Sequence, residues 1–188
     1  MDYRAAAIVH QFRGPGAGIL AGVHPNGELV IQDYEQPGSL QRVVGSPSGT
    51  LNRSGWKIVD VDSIEPGSPA ANILDGNSDT IWHTEWKVNK PKHPHHVTID
   101  LGKVTTVDGF AYLPRSSNSA GRILKYAFFT SSDGKQWGEA TTTGMFANKA
   151  GLQKVAFKPV SARFIKLVAL SSHLERPSTV VAELYVLG

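Results

Sequence analysis

The chain has 188 residues, 40% of them hydrophobic and 19% charged, with 19 glycines and 11 prolines, which favours one turn-rich globular β domain with a short appendage over a helical or disordered protein. The formal net charge of +3 comes from scattered Lys and Arg residues rather than a basic run, so we do not expect nucleic acid as a partner. The absence of cysteine excludes disulfides, thiol catalysis and a cysteine zinc site.

The sequence also lacks the patterns of membrane insertion and of export. No stretch approaches the roughly 20 apolar residues that a helix needs to span a bilayer. The start, MDYRAAAIVHQFRGPGAG, lacks the basic-then-apolar plan of a signal peptide. We therefore expect no membrane span, and a secreted form of this sequence would be a mature chain or a fragment.

The first 50 residues form one compositional zone. A strand is predicted over residues 5–12, and two apolar runs flank His24-Pro25-Asn26-Gly27, where Asn-Gly is a strong signal for a β-hairpin. The glycine-rich residues 14–18 have no lysine and no following helix, so a phosphate-binding loop is not expected. One hairpin and one strand are too little for an independent core. Residues 1–50 are therefore predicted to be a β-hairpin segment or the tail of a preceding domain, with a linker, and residues 51–188 the main domain.

The main domain reads as short strands separated by turns. Asp133-Gly134 predicts a tight hairpin tip, and no amphipathic helix lies between the strands, which argues for antiparallel pairing rather than βαβ units. We predict an all-β fold, an antiparallel β-sandwich or jelly roll. Seven runs alternate apolar and polar residues between Gly, Pro, Ser or Asn: WKIVDVDS, HVTIDLG, DGFAYLP, LKYAFFTS, KVAFKPV, ARFIKLVAL and VVAELYVL.

The stretch DGNSDT offers oxygen ligands for a hard cation. Asp75, Asn77 and Thr80 carry side-chain oxygens around the bend at Gly76, which suits calcium because this ion prefers six or more oxygens. The loop lacks the closing glutamate of an EF-hand, so such a site needs a carboxylate from elsewhere in the chain. The alternative is an Asx turn in which Asp75 and Asn77 only cap the backbone.

The residues that follow, WHTEW, combine a histidine with two tryptophans. Two tryptophans this close in a turn-rich region need not both lie in the core, and an exposed one is a candidate platform for a ligand. His83 offers a donor and an acceptor to the hydroxyls of a sugar. The alternative is a turn histidine whose bonds are satisfied by the protein, between two core tryptophans.

Arg115 opens a polar loop after a predicted strand, and its guanidinium can bridge two vicinal hydroxyls or a carboxylate. The alternative is a solvated surface arginine. Catalysis finds little support, because no Gly-x-Ser-x-Gly elbow is present and nothing points to paired carboxylates. His93, His95 and His96 are expected to point in different directions because of Pro94 and strand alternation, so we predict no transition-metal site there.

Taken together, these motifs resemble a known family. The chain is similar to the discoidin fold, also called the coagulation factor V/VIII C-type domain, and within it most similar to carbohydrate-binding module family 32. The resemblance runs from about Ser54 to Gly188 and implies a galactose-binding-domain-like β-sandwich. The motifs that stand in the family's order and spacing are SIEPGSPAANILDGNSDTIWHTEW, HPHHVTIDLG, GFAYLPR, GRILKYAFFTSSDGKQW, ARFIKLVAL and VVAELYVLG.

The resemblance implies a non-catalytic module that binds terminal galactose, N-acetylgalactosamine or a related sugar of a glycan. Such modules are usually attached to a secreted or surface glycoside hydrolase or a similar enzyme, which implies an extracellular, cell-surface or periplasmic location. The residues implied to hold the sugar are Glu65, His83 and Arg115, with Trp86 as a platform. The resemblance also implies a structural calcium ion, and the residues implied to hold it are Asn72, Asp75, Asn77, Thr80, Ala182 and Glu183.

Two positions depart from the family's pattern. Ala120 stands where the family often has an asparagine, for which Asn118 is the candidate substitute, and Ser178 stands where an aromatic residue commonly stacks on the sugar. Three hypotheses follow: sugar binding with Trp86 as the stacking face or with a sugar other than plain galactose, an adhesion domain for protein or phospholipid, and a structural domain without sugar binding. Membrane binding is the less expected, because the loop tips are polar apart from Leu174.

Overall fold

The computed structural model describes the backbone of residues 7–8, 13–14, 17–23, 29–33, 40–43 and 47–188, and side chains from residue 47 onward. Every strand pair in these residues is antiparallel, which confirms the predicted all-β fold. No helix among them is long and apolar enough to cross a membrane. The elements are β1 (Ala7–Ile8), β2 (Arg13–Gly14), β3 (Ala17–Val23), β4 (Leu29–Asp33), β5 (Leu40–Val43), β6 (Lys57–Val61), the 3-10 helix η1 (Ala70–Leu74), β7 (Trp82–His83), β8 (His95–Leu113), β9 (Ile123–Ser131), β10 (Thr142–Met145), β11 (Gln153–Ser172), the 3-10 helix η2 (His173–Glu175), β12 (Val180–Val181) and β13 (Glu183–Leu187).

The N-terminal strands form a sheet of their own. β3 and β4 pair with Val23 opposite Leu29, which confirms the predicted hairpin, although its turn residues 24–27 lie outside the described residues. β5 pairs with β4, and β1 and β2 pair with β3, so the segment holds more strands than predicted. The strand predicted over residues 5–12 is described only at residues 7–8. The division of the chain near residue 50 stays a prediction.

The main sheet is built on two long strands. β8 and β11 have 19 and 20 residues and pair with each other, and β9 and β10 continue the sheet beyond β11. The tip between β9 and β10 is the predicted hairpin, with Gly134 at a φ of +71°. β6 pairs with the first part of β8 and β13 with its last part. β8 therefore joins β6 and β13 into the same sheet, and it ends just before the loop at residues 115–120, which is described below.

Two pairs of predicted strands are single strands in the structure. HVTIDLG and DGFAYLP both lie in β8, and KVAFKPV and ARFIKLVAL both lie in β11. The sequence indicated breaks at Gly102 and Ser161. Instead, β8 and β11 pair on both sides of Gly102, which has a φ of +80°, and the pairing continues across register shifts between 156 and 160 and between 162 and 164. Bulges bend a strand without ending its pairing, so turn-forming residues here mark bends.

Aromatic rings form the centre of the core. Phe110 and Phe128 stack with ring centroids 4.2 Å apart, and Tyr126 meets Phe110 edge-on at 5.4 Å. Phe146 stacks on Tyr126 at 4.4 Å. Offset and edge-to-face contacts of this kind add about 0.5–1.5 kcal/mol per pair to the burial of the rings. β8, β9 and the residue after β10 are thereby fixed against one another.

The hydroxyl of Tyr112 links this core to the functional loops. It donates to the Val180 carbonyl oxygen at 3.0 Å and accepts the Ile123 N–H at 3.1 Å. Both bonds lie in the interior, where an unsatisfied hydroxyl costs about 1–3 kcal/mol. The start of β12 and the start of β9 are therefore held at fixed positions beside the end of β8.

Gly109→Ala is expected to lower the free energy of unfolding by about 1–3 kcal/mol because it overpacks the centre of β8. A Cβ atom at Gly109 would lie 2.5 Å from the Val155 carbonyl oxygen, which belongs to the paired strand β11. Chemical denaturation measures the loss. Gly151→Ala is the matched control, because a Cβ atom there meets nothing within 4 Å. Equal stability of the two variants would contradict the packing.

Candidate functional site

Four loops surround a cavity of about 640 Å³. They are formed by residues 65–68, 81–90, 115–120 and 176–178. Pairing of β7 with β12, with His83 opposite Val180, brings the second loop to the fourth. The Glu65 N–H donates to the His83 carbonyl oxygen at 2.8 Å and joins the first loop to the second.

Four of the five residues predicted to hold a sugar lie around one cavity. Glu65, His83, Trp86 and Arg115 all line this cavity, although they come from three separate segments of the chain. Asn118 does not line it, and its Oδ1 accepts the Ala120 N–H at 3.0 Å. We therefore leave Asn118 out of the proposed site, while ligand binding by the other four stays a prediction.

The two tryptophans of WHTEW have different surroundings. Trp82 is 1% exposed and its Nε1–H donates to the Ser63 carbonyl oxygen at 2.9 Å, whereas Trp86 is 47% exposed. The alternative of two core tryptophans is therefore wrong. The ring centroids of His83 and Trp86 lie 6.0 Å apart, so the exposed indole continues the wall that His83 begins.

Glu65 is buried and carries its charge. Its Oε2 accepts the N–H of Trp86 at 3.0 Å and of Lys87 at 3.3 Å, and its Oε1 pairs with Lys87 Nζ at 3.0 Å. The backbone hydrogen bond from Trp86 and the contacts with Lys87 lower the pKa of Glu65 below its usual value, against the opposing effect of burial. The carboxylate is thus ionised at neutral pH and keeps lone pairs for a ligand hydroxyl.

His83 presents an acceptor to the cavity. Its Nδ1 lies 2.6 Å from the Thr84 carbonyl oxygen, which can only accept, so Nδ1 carries the proton. Burial lowers the pKa of His83, and the charge of Arg115 lowers it further, while the bond to Thr84 opposes the shift. The imidazole is therefore neutral at neutral pH, which leaves Nε2 as an acceptor.

Arg115 is held by its own loop. Its Nη2 donates to the Ala120 carbonyl oxygen at 2.9 Å, and Arg122 Nη2 donates to the Arg115 carbonyl oxygen at 3.1 Å. Burial, with the charge of Arg122, lowers the pKa of Arg115. An anchored guanidinium loses less side-chain entropy when it donates to a ligand, and this favours a binding role over a merely solvated one.

A buried histidine cluster lies behind the fourth loop, and sequence reasoning missed it. His95 is fully buried, with Nδ1 2.7 Å from Asp62 Oδ2 and Nε2 2.7 Å from the Pro177 carbonyl oxygen. His93 lies beside it with ring centroids 4.8 Å apart, and its Nε2 is 3.0 Å from Thr179 Oγ1. The expectation that these histidines point in different directions is therefore wrong for His93 and His95.

The cluster differs from a metal centre. His96 turns to Asp60, with Nε2 2.8 Å from Oδ2, and its N–H donates to Asp62 Oδ1 at 2.6 Å. In residues 47–188, whose side chains are described, no three His, Asp or Glu side chains are placed to hold a metal ion. The cluster instead fixes the segment that carries Pro177, because the His95 ring bridges that segment to the end of β6.

The DGNSDT loop has the geometry of consecutive Asx turns. Asp75 Oδ1 accepts the Asn77 N–H at 2.8 Å, and Asn77 Oδ1 accepts the Asp79 N–H at 3.1 Å. The Thr80 hydroxyl donates to Asp75 Oδ2 at 2.6 Å. Asn72 donates from Nδ2 to the Ile81 carbonyl oxygen at 2.9 Å. These bonds present several oxygens around Gly76 with or without an ion.

Glu183, the predicted distant carboxylate, lies close to this loop. Its side chain is fully buried, its Oε2 accepts a hydrogen bond from Arg53 Nη1, and its Oε1 has no partner among the described residues. Burial, together with the nearby Asp75 carboxylate, raises the pKa of Glu183 to about 7, against the opposing effect of Arg53. Two carboxylates, one of which has a buried oxygen without a partner, fit the preference of calcium for oxygen ligands.

Several residues that line the cavity carry no motif in the sequence. Lys87, Lys90, Arg176 and Pro177 lie there, with Ser178 at the position predicted to lack an aromatic ring. Lys87 and Lys90 follow Trp86 in WKVNK, so attention to the charged residues next to WHTEW could have identified them from the sequence. Arg176 had no such signal, because only the folded chain brings it to this cavity.

Comparisons with known proteins identify the family of this chain. A family model described as the F5/8 type C domain matches residues 57–184. A sialidase of Micromonospora viridifaciens is 36% identical over 144 residues, which cover 74% of this chain and 22% of the sialidase. A galactose oxidase of Gibberella zeae is 34% identical over 155 residues, which cover 79% of this chain and 23% of the oxidase. This chain thus spans less than a quarter of the length of these relatives.

Solved structures show the same fold. A family 32 carbohydrate-binding module of Clostridium perfringens, in complex with GalNAc-beta-1,3-galactose, matches with a TM-score of 0.68 at 30% identity and covers 74% of this chain and 99% of its own. The family 32 module of NanJ from the same organism, in complex with galactose, matches with a TM-score of 0.67 at 27% identity and covers 74% and 98%. The predicted resemblance is confirmed: the chain belongs to the F5/8 type C, or discoidin, domain family, and it is homologous to the generally non-catalytic carbohydrate-binding modules of glycoside hydrolases.

Proposed function

We propose that this domain is a non-catalytic carbohydrate-binding module that weakly binds a terminal galactose-type sugar. We propose also that it holds an attached secreted glycoside hydrolase, or a similar enzyme, near its glycan outside the cytoplasm, at the cell surface or in the periplasm. The observation that carries the proposal is the convergence of Glu65, His83 and Arg115 on one cavity beside the exposed indole of Trp86.

Each of these groups has a distinct part in holding a pyranose. The Glu65 carboxylate and His83 Nε2 accept from hydroxyls, the Arg115 guanidinium donates to them, and the Trp86 ring packs on a C–H face. Charge-assisted hydrogen bonds contribute about 1.5–3 kcal/mol each, but association and ordering offset most of that gain. We expect binding free energies near 4–6 kcal/mol, which correspond to dissociation constants of about 0.04 to 1 mM.

The carboxylate content of the cavity favours sugar binding over glycoside hydrolysis. Glycoside hydrolysis uses a pair of carboxyl groups on either side of the scissile bond. Glu65 is the single carboxylate among the described residues that line this cavity. It is ionised and bonded to two backbone N–H groups, so it is not poised as a general acid.

Arg115→Gln is expected to weaken binding of methyl β-galactopyranoside at least about tenfold, because it removes the charged fork from the cavity. Trp86→Ala is a second variant, and it should leave the core intact because the Trp86 side chain is exposed. Isothermal calorimetry or NMR titration measures the affinities. Arg163→Gln is the matched control, since Arg163 pairs with Asp100 at 2.8 Å outside the cavity. Unchanged affinity in both site variants would rule out this site.

We also propose a structural calcium ion between the DGNSDT loop and β13. Asp75 and Glu183 would hold it by carboxylate oxygens, with oxygens of Asn72, Asn77, Thr80 and Ala182 completing the set. The buried, unpartnered Oε1 of Glu183 supports this, because a buried polar oxygen without a partner is unfavourable. The ion would supply charge compensation and tie the loop to the last strand.

Adhesion to an anionic phospholipid surface is the second candidate function. Val88 and Leu174 are 78% and 61% exposed on the two loops that carry Lys90 and Arg176. Exposed apolar tips beside cations suit a membrane interface. Sedimentation with phosphatidylserine vesicles separates the two candidate functions. An adhesion domain would sediment with the vesicles, whereas a sugar-binding module would bind a galactoside in their absence.

A further inference from the structure

We propose that the ligand of this cavity carries an acidic group, a carboxylate or a sulfate, next to the pyranose. The inference rests on the proposed sugar-binding function and adds the charge of the ligand to it. Among residues 47–188, whose side chains the structure describes, one carboxylate and four cationic side chains line the cavity. The cations are Lys87, Lys90, Arg115 and Arg176.

Glu65 does not balance these charges. Its Oε1 pairs with Lys87 Nζ at 3.0 Å, and its Oε2 accepts the N–H of Trp86 at 3.0 Å and of Lys87 at 3.3 Å. The carboxylate is therefore matched by Lys87 within the protein. Within the part of the chain that the structure describes, the other three cations of the cavity form no ion pair with an acidic side chain.

Lys90 and Arg176 are the two cations best placed to meet an acidic ligand. Both side chains are exposed, and neither makes a hydrogen bond or an ion pair with another residue in the described part of the chain. The acids next to them in sequence do not occupy them: Glu85 accepts from Asn89 Nδ2 at 2.9 and 2.8 Å, and Glu175 does not line the cavity.

The loops that carry these two cations share an unusual backbone. Lys90 has a φ of 46°, and Leu174 and Glu175 have φ values of 61° and 51°. Non-glycine residues rarely adopt this left-handed region, and such conformations cluster at ligand sites because the surrounding structure must hold them. The backbone at Lys90 and before Arg176 therefore has an uncommon conformation, while both cationic side chains stay exposed to a ligand.

A carboxylate or a sulfate ester matches this arrangement. The Arg176 guanidinium offers two parallel donors to a pair of anionic oxygens, and Lys90 offers a point charge. A neutral sugar offers these cations hydroxyl acceptors but no opposite charge. Because exposed ion pairs are partly screened, we expect about a tenfold preference for the acidic sugar at low salt and a smaller one at high salt.

The test compares three sugars that differ at one position. Galactose, galacturonic acid and galactose 6-sulfate are titrated by calorimetry at about 50 and 500 mM NaCl, where the screening lengths differ about threefold. The expected result is tighter binding of at least one acid, with a preference that shrinks at the higher salt. The acid that binds more tightly identifies the carboxylate or the sulfate as the group recognised.

The matched variants assign the effect to residues. The double variant Lys90→Gln/Arg176→Gln is expected to lose the preference for acid and keep its affinity for galactose. Lys135→Gln/Lys149→Gln removes the same charge from exposed positions outside the cavity and is expected to keep the preference. Thermal unfolding of each variant checks that the fold is intact.

The outcomes separate this inference from the function on which it rests. Equal affinity for all three sugars overturns the inference and leaves the sugar-binding function standing. An acid preference that survives in Lys90→Gln/Arg176→Gln overturns the assignment. Binding of none of the sugars, with binding to phosphatidylserine vesicles, overturns the proposed function and the inference with it.

Discussion

Replacing Asp62 with alanine is expected to lower the free energy of unfolding by about 3 kcal/mol, because it leaves the buried imidazolium of His95 without its counterion. The charge of His95 follows from geometry. Its two ring nitrogens lie 2.7 Å from Asp62 Oδ2 and 2.7 Å from the Pro177 carbonyl oxygen. Neither acceptor brings a proton, so both nitrogens donate and the ring is positively charged.

Proton binding by His95 gives this loss a pH dependence. Burial opposes the charge, but the hydrogen bonds to Asp62 and Pro177 outweigh it, and the pKa of His95 lies above its usual value. Burial and the charge of His95 lower the pKa of the adjacent His93 to about 4, so His93 is neutral. A pKa raised by folding stabilises the protein fully below the unfolded value of about 6.5, and this contribution is lost as pH rises through the folded value.

Asp62→Asn separates the charge from the shape. The amide keeps an oxygen for the His96 N–H and can offer an N–H to His95 Nδ1, so that His95 becomes neutral and still donates from Nε2 to Pro177. We expect a smaller loss of stability than in Asp62→Ala, and a flatter stability profile than wild type as the pH rises above about 6.5, where the wild type loses the contribution of His95. Denaturation at a series of pH values measures this.

Asp60→Ala is the control for a neighbouring but exposed pair. Asp60 Oδ2 lies 2.8 Å from His96 Nε2, and both side chains are partly exposed, so its removal should cost at most about 1 kcal/mol. If wild type and Asp62→Asn have the same pH profile, His95 is not the group that titrates.

Because Pro177 and Ser178 line the cavity, the affinity for sugar is expected to follow the same pH dependence.

The residues of the proposed sugar site could be named from the sequence because His83 and Arg115 lie in local motifs and the family resemblance implied Glu65. The fold then brings the loops that carry them to one cavity. His95 and Asp62 lie 33 residues apart, and their pairing depends on the register of β6 against β8. No local pattern encodes that register.

Strand number was harder to predict than strand character. The alternation that indicated seven runs is real, since most of their residues lie in strands. Residues such as Gly102 fit both a turn and a bend within a continuous strand, and the choice between them depends on whether a partner strand continues alongside. Here β11 continues beside β8 on both sides of the bend.

Chelation of calcium is expected to lower the melting temperature of the domain by about 5–10 °C. A ligand present at 100 times its dissociation constant stabilises the folded state by about 2.7 kcal/mol. A change of 1 kcal/mol shifts the melting temperature by about 2–4 °C for a chain of this size. The effect is large because the proposed ion would join two distant parts of the chain, the loop at Asp75 and β13 at Glu183.

The comparison that decides this prediction is thermal unfolding in calcium and in chelator, for wild type and Asp75→Asn. The variant is expected to lose the response to calcium, because an amide replaces one of the two carboxylates. Glu139→Gln removes an exposed carboxylate after the β9 hairpin tip and should respond as wild type does. If the wild type does not respond, Asp75 and Asn77 form only Asx turns, and Arg53, which donates to Glu183 Oε2 and to the Ile73 carbonyl oxygen, is the cation that compensates the buried carboxylate.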